Sequence, residues 1–155
     1  MKITEFQANN LPATPKDTDV FRHLDKIKNG TYKAEIEALR AKTGSDYDTF
    51  KMKLPIACFN ATFKYKNYES MKERSGLICL DFDKFDSPEK LENHRQVLIK
   101  DQYTFAVWLS PGGKGLKLLV KIPKDQRIAD YFRALKRYYN HPNWDDSTKD
   151  EARGT

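Results

Sequence analysis

The sequence predicts an α+β fold, on three observations. The second half of the chain places strand-like and helix-like segments in the order β-α-β-β-α, with a glycine-rich turn between two of the strands. The first third has shorter segments separated by proline-containing loops. The 155 residues suffice for one ordinary domain. We therefore expect one domain over residues 1–155, with an N-terminal α/β subregion at 1–70 and a core at 71–155.

The composition indicates a folded, basic protein. Apolar residues make up 39% of the chain and charged residues 32%, and the net charge is +6. A basic surface favours polyanionic partners through counterion release, although a solvated surface without a partner has the same composition. Cys58 and Cys79 lie singly in apolar runs, which predicts free buried thiols in a reducing compartment. No apolar run reaches the roughly 18–20 residues of a membrane span, so we expect a cytoplasmic protein without membrane contact.

The N-terminal subregion is predicted to contain short elements. These are a strand at 2–6, a loop at 11–19, helices at 20–28 and 32–42, and an extended segment at 53–63. Asn29 and Gly30 mark the end of the first helix, and residues 43–45 mark the end of the second. Pro55 favours an edge position for the extended segment.

The core is predicted from stronger signals. Its elements are a strand at 76–83, a helix that follows the N-cap Ser87, strands at 103–110 and 116–122 joined by a tight turn, and a helix at 124–140. A further strand would complete the β-α-β-β-α-β unit of ferredoxin-like and RRM-like folds. We therefore expect the core to be truncated at its C-terminus.

Two aspartates at the end of the first core strand are the first candidate site residues. In such a sheet the first and third strands are antiparallel neighbours, which places Asp81 and Asp83 beside Lys117. Alternation puts these side chains on the face opposite the helices, where we expect a ligand-facing surface. Carboxylates at i and i+2 suit Mg²⁺ or Mn²⁺. The alternative is that the aspartates only end a strand and begin a turn.

A glycine-rich turn is expected to adjoin these aspartates. It offers the hydroxyl of Ser110, the amides of Gly112 and Gly113, and the ammonium group of Lys114. This composition can cradle phosphates. A plain hairpin turn is the alternative.

The acidic segment WDDSTKDEAR, at 144–153, supplies the last candidates. Asp145 is predicted to be a third metal-binding carboxylate, and Arg153 is predicted to bind phosphate. The alternative is that this segment is only an acidic connecting loop. Asp146 could take the place of Asp145, because neighbours on a strand face opposite ways and the register is open.

Together these motifs resemble the archaeo-eukaryotic primase superfamily, and more closely the primase-like N-terminal domain of virulence-associated protein E. The resemblance runs from KLPIACFNATF through SGLICLDFD and SPGGKGLKLLVKI to DDSTKDEAR. It implies an archaeo-eukaryotic primase type of fold with catalytic metals on Asp81, Asp83 and Asp145. It also implies that Ser110, Gly112, Gly113 and Lys117 face a nucleoside triphosphate, with Lys117 where active primases carry histidine.

The resemblance further implies a function and partners. The domain would use Mg²⁺ or Mn²⁺ to add nucleotides on a single-stranded DNA template, within a phage or mobile-element replication protein that includes a helicase-type ATPase in cis or in trans. The alternative is a non-catalytic RRM-like module that binds nucleic acid or nucleotide. A metal-dependent nuclease ranks below both, because no histidine is placed near the carboxylates as a general base.

Two segments interleave basic and aromatic residues, KYKNY at 64–68 and KRYY at 136–139. Such segments can stack bases and hold a single strand of nucleic acid. Amphipathic helix packing is the stronger interpretation for the second segment, whereas the first stays open. His23 and His94 are expected to be surface or packing residues, and His141 to lie in a loop.

Overall fold

The computed structural model describes residues 1–8, 14–124 and 127–149, which form an α+β protein with three small antiparallel sheets and five helices. The chain divides into two compact units, one containing Met1–Ser75 and the other Gly76–Glu151. The prediction of a single domain with subregions at 1–70 and 71–155 stays a prediction, because compactness alone does not define a folding domain. No helix in the described ranges is both long and apolar enough to cross a membrane.

The first unit contains two of the sheets. Its elements are β1 (Lys2–Phe6), β2 (Lys16–Asp19), α1 (Val20–Lys28), α2 (Lys33–Arg40), α3 (Gly44–Lys51), β3 (Ile56–Cys58), β4 (Ala61–Phe63) and β5 (Met71–Arg74). One sheet has the order β2-β1-β3, and the other pairs β4 with β5. A small core of Phe6, Ile56, Cys58, Ala61 and Phe63 is buried in this unit. Cys58 is a free thiol, as predicted.

Three predictions for this unit were incomplete. Residues 16–19 were predicted as loop but form β2, a polar edge strand without apolar alternation. Residues 43–45 were predicted to end a helix, whereas α3 begins at Gly44 and buries no residue, so no apolar period marks it. The predicted extended segment at 53–63 divides into β3 and β4, which belong to different sheets. The predicted edge position of β3 is confirmed.

A polar cluster joins β1 to α1. The Nδ1 atom of His23 lies 2.6 Å from Oε1 of Glu5, and the ammonium group of Lys26 donates to both oxygens of Glu5 at 2.8 Å. His23 is buried, and its burial lowers the pKa of its imidazole. The buried imidazole of His23 thus has a polar partner in Glu5, which is what a low-dielectric environment requires.

The second unit contains the third sheet and two helices. Its elements are β6 (Leu77–Phe82), α4 (Pro88–Lys100), β7 (Thr104–Leu109), β8 (Leu116–Lys121) and α5 (Ile128–Tyr139). The sheet order is β6-β8-β7, so the predicted antiparallel pairing of the first and third core strands is confirmed. The hydroxyl of Ser87 accepts a hydrogen bond from the amide of Lys90 at 3.2 Å, which confirms the predicted N-cap of α4.

The core of the second unit confirms the predicted faces of β6 and β8. Alternate residues of the two strands pack with the apolar residues of α4 and α5. The set comprises Ile78, Leu80, Phe82, Leu91, Leu98, Leu116, Leu118, Val120, Ile122, Ile128, Phe132 and Leu135. This packing anchors β6 and β8 in one register, which determines the positions of the polar residues that follow.

A short segment lies along the outer edge of β6. The Asp83 amide donates to the Asn143 carbonyl at 2.7 Å, and the Asp145 amide donates to the Asp81 carbonyl at 2.9 Å. Phe82 and Trp144 form the antiparallel bridge between these two hydrogen bonds. The segment therefore extends the sheet by one antiparallel bridge next to β6. It brings Asp145 to the end of β6.

Two histidines stack within the aromatic part of this core. The ring centroids of His94 and His141 are 3.8 Å apart, and both rings contact Phe82 and Phe85. Burial, with a smaller contribution from His141, lowers the pKa of His94 to about 4. Burial also lowers the pKa of His141. Both imidazoles are therefore neutral at pH 7.

We predict that the protein loses stability in mild acid because of His94. An unfolded histidine has a pKa near 6.5. Between about pH 6.5 and 4 the unfolded chain therefore binds a proton that the folded His94 does not, so stability present above pH 6.5 is lost as the pH falls toward 4. Urea unfolding from neutral to mildly acidic pH should show a steeper loss for the wild type than for His94→Gln. Equal pH slopes for the two proteins would contradict this explanation.

Candidate metal and phosphate site

Three carboxylates converge at the end of β6. One oxygen from each of Asp81, Asp83 and Asp145 lies within 4.8 Å of the corresponding oxygens of the other two. Asp81 is buried, whereas Asp83 and Asp145 are half-buried. The sequence predicted this set, and the structure brings all three together. Their role as metal ligands and catalytic residues stays a prediction.

Local and long-range features each position part of this cluster. Asp81 and Asp83 share a face because residues two apart on a strand point the same way. Asp145 joins them through the backbone hydrogen bonds of the edge segment. The side-chain amide of Asn143 secures that segment by donating to the carbonyls of Asp83 at 2.7 Å and Lys84 at 2.8 Å. The sequence prediction missed Asn143, since nothing in its local sequence indicates so distant a partner.

Lys117 lies directly opposite Asp81 on β8. Its ammonium group donates to Oδ1 of Asp81 at 2.9 Å and to Oδ2 at 2.8 Å. The predicted proximity of Lys117 to the aspartates is confirmed. The predicted open ligand-facing surface is wrong for this pair, because only 4% of Asp81 and 8% of Lys117 is exposed.

The apolar residues of β6 and β8 explain why the face with Asp81 and Lys117 is buried. Leu77, Cys79 and Leu119 share the face with Asp81 and Lys117, and all of them are buried. An almost unbroken apolar run such as GLICL is typical of a strand buried on both faces, rather than on one. The ion pair is therefore held in a low-dielectric environment, where each partner needs the other.

Three carboxylates lie close together at this site. Their oxygens are within 4.8 Å of one another, and the ammonium group of Lys117 contacts Asp81. Asp83 and Asp145 are half-buried. Carboxylates at this separation repel one another unless a cation or a proton relieves the repulsion. A divalent cation bound among them would relieve it.

Gly115 leaves the space that Asp83 occupies. A Cβ atom at position 115 would lie 2.2 Å from Oδ1 of Asp83 and 2.7 Å from the Phe82 carbonyl oxygen. The same position would be 3.3 Å from the hydroxyl oxygen of Ser110. Any side chain at residue 115 would therefore displace Asp83. The sequence prediction selected Gly112 and Gly113 from this turn and missed Gly115, whose importance depends on the distant Asp83.

The glycine-rich turn is closed by its own backbone. The Ser110 amide donates to the Gly115 carbonyl, and the Gly113 amide donates to the Ser110 carbonyl, both at 2.9 Å. Gly113 has a φ of +74°, a conformation that favours glycine. Its amide is thus engaged within the turn in this conformation, whereas the prediction had it facing phosphate. Gly112 is half-buried and Lys114 is exposed, and their predicted contacts with a substrate stay predictions.

Two further candidate residues, Asp146 and Arg153, are not among the three clustered carboxylates. Asp146, the alternative third carboxylate, forms a salt bridge with Lys136 at 2.7 Å, and the three-carboxylate cluster contains Asp145 instead. Arg153, the predicted phosphate-binding arginine, lies outside the described residues.

The fold and the site define an α+β domain with an acidic cluster and an internal lysine. A family model described as BT4734-like, N-terminal domain matches residues 49–141, which is more than half of the chain. The protein therefore belongs to the BT4734-like N-terminal domain family. No curated protein and no solved structure matches the chain.

The family match corrects the resemblance drawn from the sequence. The primase-like N-terminal domain of virulence-associated protein E is a different family, and no comparison supports a primase. The motifs behind that resemblance are short, and paired aspartates or glycine turns also occur where strands and hairpins merely end. The primase type of fold, the phage or mobile-element origin and the helicase-type ATPase partner came from that resemblance and lose its support.

We predict that Lys117 is essential for stability because it neutralises Asp81. In Lys117→Met the Asp81 carboxylate stays buried and loses the ammonium group that contacts both of its oxygens, which costs about 3–5 kcal/mol of unfolding free energy. Urea unfolding at neutral pH measures this loss. The double variant Asp81→Asn/Lys117→Met removes both charges and should recover part of the stability. If Lys117→Met alone were as stable as the wild type, the ion pair would not have the importance assigned to it.

Proposed function

We propose that this domain binds Mg²⁺ or Mn²⁺ at Asp81, Asp83 and Asp145 and uses it for nucleotidyl transfer. A nucleoside triphosphate would be the donor, and the 3′-hydroxyl of a strand paired to a single-stranded DNA template would be the acceptor. The hydroxyl oxygen would form a bond to the α-phosphorus while the bond to the leaving pyrophosphate breaks, and the hydroxyl proton would pass to water. The observation that carries the proposal is the convergence of three carboxylate oxygens within 4.8 Å, at the end of a buried strand.

The residues present suit such an ion. Carboxylate oxygens are the ligands that Mg²⁺ and Mn²⁺ prefer, and these metals take further ligands from water and substrate phosphates. The partial exposure of Asp83 and Asp145 leaves that side of the cluster accessible to a phosphate group. When bound, the ion would supply Lewis-acid charge to the transferring phosphoryl group.

The protein's own residues would then bind and orient the triphosphate. We assign contacts with the phosphates to Ser110, Gly112, Gly113 and Lys114 of the turn, and to Arg153. Lys114 is exposed, and the Ser110 hydroxyl lies beside the Asp83 carboxylate across Gly115. The Gly113 amide would have to leave its hydrogen bond with Ser110 to take part. Position and charge, rather than a covalent nucleophile, would supply the catalysis.

The finer description of the fold belongs to the same proposal. We describe the second unit as an RRM-like or ferredoxin-like core, on two observations. Its elements follow the order β-α-β-β-α, and its sheet has the order β6-β8-β7 with β8 central. The edge segment at 143–145 lies on β6, where the last strand of such a unit pairs.

The Lys117–Asp81 ion pair favours a second candidate function. Lys117 occupies both oxygens of Asp81, so fewer carboxylate oxygens are available to hold metal ions for chemistry. The domain would then bind a nucleotide or single-stranded nucleic acid without transferring a nucleotide. The two functions differ in whether a product is made and in whether binding requires metal.

We predict metal-dependent extension of a labelled primer on a single-stranded DNA template. Extension should require Mg²⁺ or Mn²⁺ and should fall by at least about 100-fold in Asp83→Asn or Asp145→Asn, because each replaces a charged carboxylate ligand of the proposed metal ion with a neutral amide. The matched control is Asp146→Asn, which changes a neighbouring carboxylate that pairs with Lys136 instead. A denaturing gel resolves the products.

Two outcomes would contradict the proposal of nucleotidyl transfer. Absence of extension with every nucleotide and metal, together with nucleotide binding that persists in EDTA, would establish the non-catalytic function. Shortened rather than lengthened strands would indicate a nuclease, since the same carboxylates can direct water at a phosphodiester.

A further inference from the structure

A hairpin tip in the first unit exposes two aromatic rings to solvent. The tip, residues 64–70, connects β4 with β5. Within it, Tyr65 is 57% exposed and Tyr68 is 56% exposed. Large aromatic side chains normally gain stability from burial, so two of them presented together on one loop indicate a surface that contacts something else.

The tip is held in shape by its own hydrogen bonds. The Ser70 hydroxyl accepts from the Tyr65 amide at 2.9 Å and donates to the Tyr65 carbonyl at 2.6 Å. The Asn67 side chain accepts from the Ser70 amide at 2.9 Å, and the Lys64 amide donates to the Ser70 carbonyl at 3.0 Å. These bonds position the backbone of both tyrosines before any partner binds, which reduces the entropy cost of binding.

The charge of the hairpin is positive. The tip, residues 64–70, contains two basic side chains and one acidic side chain, and the basic pair, Lys64 and Lys66, flanks Tyr65. The Lys64 ammonium group lies 5.3 Å from the centroid of the Tyr65 ring. An aromatic face with a cation beside it therefore lies at the surface, and the net charge complements a polyanion.

We propose that this tip binds single-stranded nucleic acid, with bases stacked on Tyr65 and Tyr68 and phosphates paired with Lys64 and Lys66. Unpaired bases offer the flat apolar faces that exposed tyrosines can stack on, whereas a duplex keeps its bases stacked on one another. The alternation of basic and aromatic residues matches the alternation of phosphate and base along a strand. This site requires no metal and none of the carboxylates of the second unit.

The affinity of the full chain for a fluorescein-labelled oligothymidylate, measured by fluorescence anisotropy in EDTA, tests the proposal. Tyr65→Ala/Tyr68→Ala should bind at least about tenfold more weakly, because stacking contributes about 1–3 kcal/mol per base and 1.4 kcal/mol is a factor of ten. Tyr65→Phe/Tyr68→Phe keeps both rings and should stay within about threefold of the wild type. Tyr103→Ala removes an exposed tyrosine elsewhere, and its affinity should equal that of the wild type.

The salt dependence of binding tests the two lysines. For single strands, the slope of log K against log salt concentration changes by about 0.7 per phosphate contact. Lys64→Gln/Lys66→Gln should therefore reduce the magnitude of the slope by about 1.4. Lys33→Gln/Lys90→Gln removes the same charge from exposed helical positions and should leave the slope nearly unchanged.

The outcomes separate this site from the proposed nucleotidyl transfer. The binding assay contains EDTA and makes no product, so its result depends on the tip and not on the metal-dependent transfer proposed for the carboxylates. The proposal is overturned if the wild type does not bind the oligonucleotide. That result is expected if the tip binds a protein instead. It is equally overturned if Tyr65→Ala/Tyr68→Ala binds as tightly as the wild type, since binding would then be general attraction to a basic surface.

Discussion

The buried ion pair between Lys117 and Asp81 is the interaction on which the site in the second unit depends. It connects the neighbouring strands β6 and β8 across one register position, where both side chains are withdrawn from water. A carboxylate in that position would be costly by itself, and so would an ammonium group. The lysine donates to both oxygens of Asp81 and so stabilises this carboxylate in an apolar environment. The carboxylates of Asp83 and Asp145 lie close to that of Asp81.

The packing of β6 and β8, the edge segment and Gly115 each stabilise part of this arrangement. The apolar face of β6 and β8 packs against the helices and holds the register that sets Lys117 opposite Asp81. The edge segment carries Asp145 to the same place through backbone hydrogen bonds, and Gly115 leaves room for Asp83. The lysine thus serves as an internal cation beside Asp81. The repulsion expected among three carboxylates this close together is the physical reason to propose a divalent ion.

Local signals in the sequence predicted much of the second unit. The Ser87–Pro88 cap, the apolar period of α5 and the hairpin around the glycine turn each depend on residues within a few positions of one another, and each is found in the structure. From those elements the pairing of Asp81 with Lys117 followed, whereas Asp145 was selected from the acidic segment and the primase resemblance, with Asp146 left open as its alternative. Recognition of a family failed, because short motifs at strand ends occur in unrelated proteins.

The features that sequence reasoning missed depend on contacts between distant residues or lack an apolar pattern. α3 buries nothing and β2 is polar, so neither has a period to detect. Asn143 and Gly115 matter only because the fold brings them to Asp83. The burial of Lys117 could have been inferred from the unbroken apolar run before Asp81, which indicates a strand covered on both faces.

Anomalous scattering from a crystal of this protein soaked with Mn²⁺ and a nucleoside triphosphate would test most directly whether the three carboxylates bind metal. We expect anomalous density among the carboxylates of Asp81, Asp83 and Asp145, with the triphosphate extending from it toward Ser110 and Lys114. Metal bound elsewhere, with Lys117 still on both oxygens of Asp81 and no density in the cluster, would show that these three carboxylates do not form a metal site.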